Sequence, residues 1–184
     1  MSNNGGPGGQ HDAAIEFQQV DKGFNGRKVL DKVSFAVARG EALCILGRSG
    51  TGKSVTLKLM IGLYTADAGK VLVDGEDMAT LDEDGLRKVR RKMGYLFQSA
   101  ALFDSYSLSQ NLAMPLHRLD KAKSPDEIKS AVHQMLREVG LEKDGEKTPA
   151  ALSGGMQKRA GLARALILKP EILLVDEPSS GLDR

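Results

Sequence analysis

Residues 42–54 read ALCILGRSGTGKS, and this stretch decides the fold class. Its first five residues are apolar and predict a strand that is buried on both faces of a mainly parallel sheet. The single cysteine, Cys44, lies in this run and is predicted to be a buried, reduced core residue. The next eight residues match the pattern G-x-x-x-x-G-K-S, and SVTLKLMIGL (54–63) predicts a helix after them. Strand, loop and helix in this order predict a phosphate-binding loop.

The loop residues suit a polyphosphate for separate chemical reasons. Gly47, Gly50 and Gly52 let the backbone turn so that successive N–H groups point inward around an anion, which the helix N-terminus also attracts. Lys53 is predicted to reach the β and γ phosphates, and the Ser54 hydroxyl is predicted to coordinate Mg²⁺. The alternative is a glycine-rich turn that matches the pattern by chance, and the flanking strand and helix argue against it.

Two acidic residues follow the apolar run ILLV (172–175). Asp176 would leave the sheet at the carboxyl end of a strand, where open α/β sheets bind ligands, so we expect it to reach the coordination shell of the metal. Glu177 points another way and is predicted to orient or deprotonate the water that attacks the γ phosphate. Adjacent acids after a strand also occur by chance, so this interpretation depends on the loop upstream.

Other strand-like segments complete an α/β pattern. AIEFQQV (14–20) and KVSFAVA (32–38) alternate apolar and polar residues and predict a small, largely antiparallel layer. GYLF (94–97) is continuously apolar and predicts another strand of the parallel sheet. Residues 1–12 are rich in Gly, Asn and Pro and are predicted to be a disordered tail.

SPDEIKSAVHQMLREVG (124–140) predicts a helix that begins with a capping box formed by Ser124 and Glu127. His133 falls between the apolar positions and is predicted to lie at the surface rather than to bind a metal. The apolar stripe by which this helix should pack consists of Ile128, Ala131, Val132, Met135, Leu136 and Val139.

Charge and hydropathy select few partners. The formal net charge is +2, which creates no field strong enough to imply nucleic acid. The basic run RKVRRK (87–92) is predicted to be a solvated helix face rather than a lipid or nucleic-acid contact. No apolar stretch is long enough to cross a bilayer and no signal peptide is recognisable, so we expect a cytoplasmic protein that another subunit would hold at a membrane.

A third motif, LSGGMQKR (152–159), precedes the acidic pair by the length of a helix. Together with the loop at 47–54, Gln98 and SGLD (180–183), it resembles the nucleotide-binding domain of ABC transporters across essentially the whole ordered chain. The resemblance implies an α/β fold: a P-loop NTPase core with a mainly parallel sheet, an antiparallel β layer and an inserted helical subdomain. The expected divisions are the tail, then 13–98 (core and antiparallel layer), 99–160 (helical subdomain with the signature motif) and 161–184 (return to the core).

The resemblance also implies ATP and Mg²⁺ as cofactors, with Glu177 as the catalytic residue. Two copies would associate head to tail, so that the signature motif of one closes over the nucleotide of the other. Phe24 would stack on adenine, with a buried strand-end aromatic as the alternative, and Val55 stands where threonine is frequent. The metal ligands would be Ser54, Gln98 and Asp176. The full set expected to contact the nucleotide is Phe24, Gly47, Arg48, Ser49, Gly50, Thr51, Gly52, Lys53, Ser54, Val55, Gln98, Ser153, Gly154, Gly155, Gln157 and Asp183.

A narrower resemblance is carried by GRSGTGKSVTLKLMIGL, VLVDGEDM, LFQSAALFDSYSLSQNLAMPL and LSGGMQKRAGLARAL. These segments are similar to the ATPase subunits of Mla- and Mce-type phospholipid transporters, the group of the toluene-tolerance ATPases. The implied partners are an integral membrane permease and a lipid-binding periplasmic protein, with the chain peripheral on the inner face of the plasma membrane. Leu102, Phe103 and Asp104 are candidate permease contacts. The alternative is that Leu102 and Phe103 pack inside the helical subdomain.

Domains of this family continue after SGLD with a strand that carries a switch histidine. Because His11, His117 and His133 all precede Asp176, we expect a C-terminally truncated chain with weak or no hydrolysis, although the intact parent would hydrolyse ATP. Two other functions stay open for the sequence: a soluble ABC ATPase that acts in translation or on DNA, and a binding-only module without turnover.

Overall fold

The computed structural model describes residues 13–119 and 123–177. The chain forms two compact units, residues 1–89 and 90–184. The tail predicted at 1–12 and the SGLD motif with Asp183 lie outside the described residues, as do 120–122. Among the residues described, no helix combines the length and apolar character that crossing a bilayer requires.

The first unit is built on a four-stranded antiparallel sheet in the order β2-β1-β3-β4. Its strands are β1 (Ala13–Phe24), β2 (Arg27–Ala38), β3 (Ala68–Val73) and β4 (Glu76–Asp77). Phe17 of β1 is opposite Phe35 of β2 and opposite Val71 of β3. The two phenyl rings stack with their centroids 4.6 Å apart. The antiparallel layer predicted from the alternating residues is therefore confirmed.

Two helices belong to this part of the chain, α1 (Lys53–Met60) and α2 (Glu83–Arg91). Helix α1 buries Leu59 and Met60, so the predicted helix after the loop is confirmed. On α2, Arg87 and Lys88 are exposed while Val89 is buried. The basic run is thus a charged helix face, as its sequence indicates.

The strand predicted at ALCIL (42–46) is wrong. These residues have no regular secondary structure, and Leu43 and Leu46 are 47% and 87% exposed. Cys44 is exposed as well, which contradicts the prediction of a buried thiol. A strand requires a neighbour that accepts and donates its backbone hydrogen bonds. None of the ladders among the described residues includes 42–46, so apolar composition alone does not make this segment a strand.

The second unit joins a parallel strand pair to a group of helices. The strands are β5 (Met93–Leu96) and β6 (Ile172–Val175), which pair from Met93 opposite Ile172 to Leu96 opposite Val175. Both were predicted from their apolar runs. The helices are α3 (Leu108–Leu119), α4 (Pro125–Glu138) and α5 (Gly154–Leu166), with single 3₁₀ turns at Glu142–Asp144 and Pro149–Ala151.

Helix α4 confirms its prediction in detail. The Ser124 side chain accepts a hydrogen bond from the Glu127 N–H, and the Glu127 carboxylate accepts one from the Ser124 N–H, which is the expected capping box. His133 is exposed. The predicted stripe packs into a core that α3, α4 and α5 share, built chiefly on Leu108, Leu112, Leu116, Ile128, Val132, Leu136, Leu141, Ala160 and Ala163.

Candidate functional site

The glycine-rich loop ends in a backbone conformation that only glycine adopts easily. Gly52 has φ +96° and is the N-cap of α1. A Cβ atom on Gly52 would lie 2.9 Å from the Leu30 side chain and 3.0 Å from that of Val29. The positive φ and the close approach both exclude larger residues. The loop therefore rests directly on β2, and this contact fixes where α1 begins.

Lys53 folds back over the loop. Its ammonium group donates hydrogen bonds to the carbonyl oxygens of Gly47, at 3.0 Å, and Arg48, at 3.1 Å. The Thr51 hydroxyl donates to the same Arg48 oxygen at 2.9 Å. These bonds tie the carbonyl oxygens at the start of the loop to the side chains at its end. They also place the ammonium charge at the N-terminus of α1, where an anion would bind.

The start of α1 presents backbone donors without competing acid groups. Gly52 makes no side-chain cap, and the first turn contains no acidic residue. Unsatisfied N–H groups at a helix N-terminus favour an anion. Ser54 and Val55 in this turn are half-buried, whereas Arg48 and Ser49 are exposed.

Phe24 ends β1 with its ring 38% exposed, so the alternative of a buried strand-end aromatic is wrong. The ring contacts Tyr64 edge to face, with centroids 5.2 Å apart. The Lys22 ammonium lies 5.3 Å from the Phe24 centroid. Phe24 is thus an accessible, held aromatic ring in the same unit as the phosphate loop.

In the second unit the acidic pair is brought together with Gln98. The Gln98 amide nitrogen Nε2 donates to Glu177 Oε2 at 3.1 Å. Glu177 itself adopts φ +47°, a left-handed conformation, two residues after the end of β6. Asp176 is only 6% exposed, and its backbone N–H donates to Leu96 O at 2.9 Å, which continues the β5–β6 ladder. The ladder therefore fixes the backbone position of Asp176.

Tyr95 is a partner of this acidic pair that the sequence did not reveal. Its hydroxyl donates to Asp176 Oδ2 at 3.4 Å, and its ring packs on Phe97 with centroids 4.2 Å apart. Burial, the charge of Asp176 and this hydrogen bond together raise the pKa of Tyr95 above its ordinary value. The phenol therefore stays protonated and keeps donating to the carboxylate.

Tyr95 should make the stability of the chain sensitive to alkaline pH. The unfolded chain would ionise this phenol near its ordinary pKa of about 10 while the folded chain still holds the proton. The ionisation of Tyr95 should therefore leave the free energy of unfolding unchanged below that pH. The free energy of unfolding should fall as the pH rises above it. Urea unfolding between pH 8 and 11 should show a shallower alkaline loss for Tyr95→Phe than for the wild type. Tyr106→Phe, a change at an exposed ring, should keep the wild-type pH dependence; identical profiles for all three proteins would contradict this prediction.

The signature motif, LSGGMQKR (152–159), contains the N-cap and the first turns of α5. Ser153 is the N-cap and accepts a hydrogen bond from the Met156 N–H at 3.3 Å, while Gly154 is exposed. The first turn of α5 contains no acidic residue. Gln157, predicted to contact nucleotide, directs its amide nitrogen to Pro149 O at 3.0 Å. Its side chain therefore supports the turn that precedes the motif.

The segment after Gln98 carries an exposed aromatic pair. Phe103 and Tyr106 are 49% and 40% exposed, with ring centroids 5.8 Å apart. Leu102, in contrast, is partly buried against the helical core, and Asp104 is exposed. The packing alternative therefore holds for Leu102 but not for Phe103.

Two side chains hold this segment in place. The Arg164 guanidinium donates to Ala101 O at 2.7 Å and to Ala100 O at 3.3 Å, and it lies 5.7 Å from the Phe103 centroid. Burial lowers the pKa of Arg164 from its ordinary value. Asn111 is fully buried; its oxygen accepts from Phe103 N at 2.8 Å and its amide donates to the Phe103, Tyr106 and Ser107 carbonyls.

Replacing Asn111 with alanine should destabilise the chain by about 2 kcal/mol, because it leaves one buried N–H and several carbonyls without a partner. Urea unfolding followed by circular dichroism measures this loss. His117→Ala, an exposed change on the same helix, should have an effect below about 0.5 kcal/mol. A loss at Asn111 no larger than that of the control would show that its hydrogen bonds do not organise the segment.

Known proteins are similar to this chain in sequence and in fold. The family model described as ABC transporter matches residues 30–180. The chain belongs to the ABC transporter family. A relative from Mycobacterium leprae, named "Probable ribonucleotide transport ATP-binding protein mkl", is 46% identical over 170 residues, which is 92% of this chain and 49% of that protein.

Two further relatives carry different names. "Protein TRIGALACTOSYLDIACYLGLYCEROL 3, chloroplastic" of Arabidopsis thaliana is 44% identical over 94% of this chain and 51% of its own length. "Methionine import ATP-binding protein MetN" of Caulobacter vibrioides is 42% identical over 92% of this chain and 51% of its own length. The chain thus spans about half the length of the curated relatives it matches.

Two solved ABC structures have the same fold. One is a dimeric ATP-binding cassette in a post-hydrolysis state bound to ADP and Pi, with TM-score 0.84 and 32% identity, covering 92% of this chain and 76% of the other. The second is cbiO1 of Clostridium perfringens, part of the ABC transporter complex cbiONQ, with TM-score 0.80 and 30% identity over 94% of this chain and 68% of the other. The predicted fold class, an α/β P-loop NTPase with an antiparallel layer and helices, is confirmed.

Proposed function

We propose that the protein to which this chain belongs binds and hydrolyses ATP to power an ABC transporter. The observation that carries the proposal is the hydrogen bond from Gln98 to Glu177, directly after the buried Asp176. A glutamine amide on one carboxylate beside a second carboxylate is suited to orienting a water for attack on a phosphate. The phosphate loop at 47–54 and the family match support the same activity.

The loop residues supply the binding half of the mechanism. Lys53 exchanges its bonds to Gly47 O and Arg48 O for bonds to phosphate oxygens, because the ammonium group already lies at the loop. The backbone donors of the first turn of α1 hold the same phosphates. Phe24, at the end of β1, stacks on the adenine. Each of these roles belongs to a residue in the first unit.

The donor set also fits Mg²⁺, which prefers hard oxygen ligands. The Asp176 carboxylate is such a donor in the second unit, and the Ser54 hydroxyl is one in the first unit. Gln98 uses its nitrogen for Glu177, so its carbonyl oxygen Oε1 is the atom suited to a cation. When bound, Mg²⁺ neutralises charge on the β and γ phosphates.

Glu177 carries the chemical half. It accepts a proton from the attacking water, and the bond from Gln98 keeps the carboxylate in the orientation for that transfer. Ser153, as N-cap of α5, and the N–H groups of Gly154 and Gly155 form an anion site for the γ phosphate of a second copy. Two ATP molecules thereby hold a head-to-tail dimer, with Asp183 at the interface.

For the transported substrate we favour a phospholipid, in the manner of Mla- and Mce-type transporters. The 44% identity to a plant relative named after trigalactosyldiacylglycerol, a lipid, supports this choice. Relatives named for ribonucleotide transport and methionine import supply the competing substrates. The partners would be an integral membrane permease and a lipid-binding periplasmic protein, with this subunit on the cytoplasmic face of the membrane. The exposed Phe103 and Tyr106 pair is the surface offered to the permease.

Two measurements test the proposal. Isothermal titration should show that the purified chain binds ATP, and an absence of affinity for adenine nucleotides would refute the function. For the substrate, the complete transporter would be purified from native membranes. Its ATP hydrolysis would then be measured with phospholipid vesicles, methionine or ribonucleotides. Stimulation by phospholipid alone is expected; stimulation by methionine or ribonucleotides alone would reject lipid transport while leaving the ATPase proposal intact.

A further inference from the structure

Tyr64 contacts the ring proposed to bind the base, and no motif of the sequence includes it. We infer that Tyr64 is a positioning residue for base recognition: it holds the Phe24 ring in the orientation in which a purine stacks on it. The inference rests on the proposed nucleotide-binding function, and it adds a residue that selects for the base rather than for the phosphates.

The contact between the two rings has the geometry of a stabilising aromatic pair. Their centroids are 5.2 Å apart and the planes are inclined by 63°. Edge-to-face rings at this separation attract one another beyond the effect of area burial. Phe24 is the last residue of β1 and is 38% exposed. The contact with Tyr64 therefore supplies a restraint on the orientation of an accessible ring.

Tyr64 can supply this restraint because its own position is fixed by α1. The backbone N–H of Tyr64 donates to Lys58 O at 3.3 Å, and that of Leu63 donates to the same oxygen at 2.9 Å. The Lys58 ammonium lies 5.6 Å from the Tyr64 ring centroid. Tyr64 is thus attached to the last turn of the helix that begins at Lys53.

The Phe24 ring has a second contact, with a lysine that belongs to an ion pair. The Lys22 ammonium, 5.3 Å from the Phe24 centroid, bonds to Asp67 Oδ1 at 2.7 Å, and Asp67 Oδ2 accepts from the Gly23 N–H at 2.7 Å. These two bonds lower the pKa of Asp67, so the carboxylate is charged at neutral pH. Strand β1 is therefore fixed up to the residue before Phe24, and Tyr64 fixes the ring itself.

The phosphate loop and the aromatic pair share one support. Gly52 lies against Leu30 of β2, and Leu30 is opposite Lys22 of β1, two residues from Phe24. The rise of a strand makes that separation about 7 Å. Helix α1 then connects the loop to Tyr64. One rigid arrangement in the first unit thus sets the distance between the phosphates and the base.

The test compares ATP with inorganic tripolyphosphate, which lacks the base, by isothermal titration with the purified chain. Tyr64→Ala should bind ATP roughly three- to tenfold more weakly, as expected for the loss of one aromatic pair. Its affinity for tripolyphosphate should equal that of the wild type. Tyr64→Phe should restore ATP binding because it keeps the ring. In a Phe24→Ala background, Tyr64→Ala should cause no further loss.

Leu63→Ala, at a neighbouring exposed position, is the matched control and should bind both ligands normally. Equal losses for ATP and tripolyphosphate in Tyr64→Ala, or no loss for either, would overturn the inference. If Tyr64→Ala does not fold, Tyr64→Leu keeps the bulk without the aromatic ring and gives the same comparison. A wild-type chain without affinity for ATP would instead refute the proposed function.

Discussion

Replacing Lys53 with alanine should abolish measurable ATP binding. The Lys53 ammonium is the charged donor that the structure places on the phosphate loop, 3.0 Å from Gly47 O and 3.1 Å from Arg48 O. A charge-assisted hydrogen bond to phosphate is about twice as strong as a neutral one, and a phosphate-loop lysine makes several. We expect the affinity to fall at least about a hundredfold. Isothermal titration with ATP measures this loss.

The control for Lys53 must remove a positive charge elsewhere in the same unit. Lys70 on β3 is exposed, and Lys70→Ala should bind ATP within about twofold of the wild type. Circular dichroism should show that both variants are folded. If Lys53→Ala binds ATP like the wild type, the loop at 47–54 is not the phosphate site.

The second large effect concerns Glu177. Glu177→Gln should reduce ATP hydrolysis by about two to four orders of magnitude, because an amide cannot accept the proton of the attacking water. ATP binding should persist, since the role proposed for Glu177 lies in the chemical step. The measurement is a coupled assay on the full-length protein, together with size-exclusion chromatography in ATP, where the variant should remain dimeric.

Glu142→Gln changes an exposed carboxylate in a 3₁₀ turn and should hydrolyse ATP at the wild-type rate. Gln98→Ala, which removes the donor to Glu177, should reduce the hydrolysis rate less than Glu177→Gln does. A Glu177→Gln variant with normal turnover would exclude this carboxylate as the base.

Much of the fold follows from local sequence. The alternation in β1 and β2 and the capping box of α4 are determined by neighbouring residues, and both are found as predicted. The segment 42–46 is different, because an apolar run becomes a strand only when another strand accepts its hydrogen bonds. Its composition could not show that the described ladders exclude it.

The residues of the candidate site also divide into those set by local sequence and those set by distant partners. The position of Lys53 on the loop could be predicted from the pattern, because the glycines and Lys53 lie within eight residues of one another. Tyr95 and Arg164 were not predicted because their partners are distant in sequence: Tyr95 bonds a residue 81 positions away, and Arg164 one 63 positions away. Asn111 was missed although its partners lie within eight positions of it. A polar residue inside an apolar helix stripe, as at Asn111, is the sequence signal that could have identified it.

Ala100 and Ala101 adopt φ values of +59° and +49°, a pair of left-handed conformations just after Gln98. For an L-amino acid each such conformation costs on the order of 1 kcal/mol, and here the carbonyl bonds of Arg164 offset it. The two hydrogen bonds from the Arg164 guanidinium therefore hold a strained stretch of backbone in place. Among the described parts of the second unit, this stretch is one where the loss of a single side chain, that of Arg164, would leave backbone strain without its offset, two residues after Gln98, the donor to Glu177.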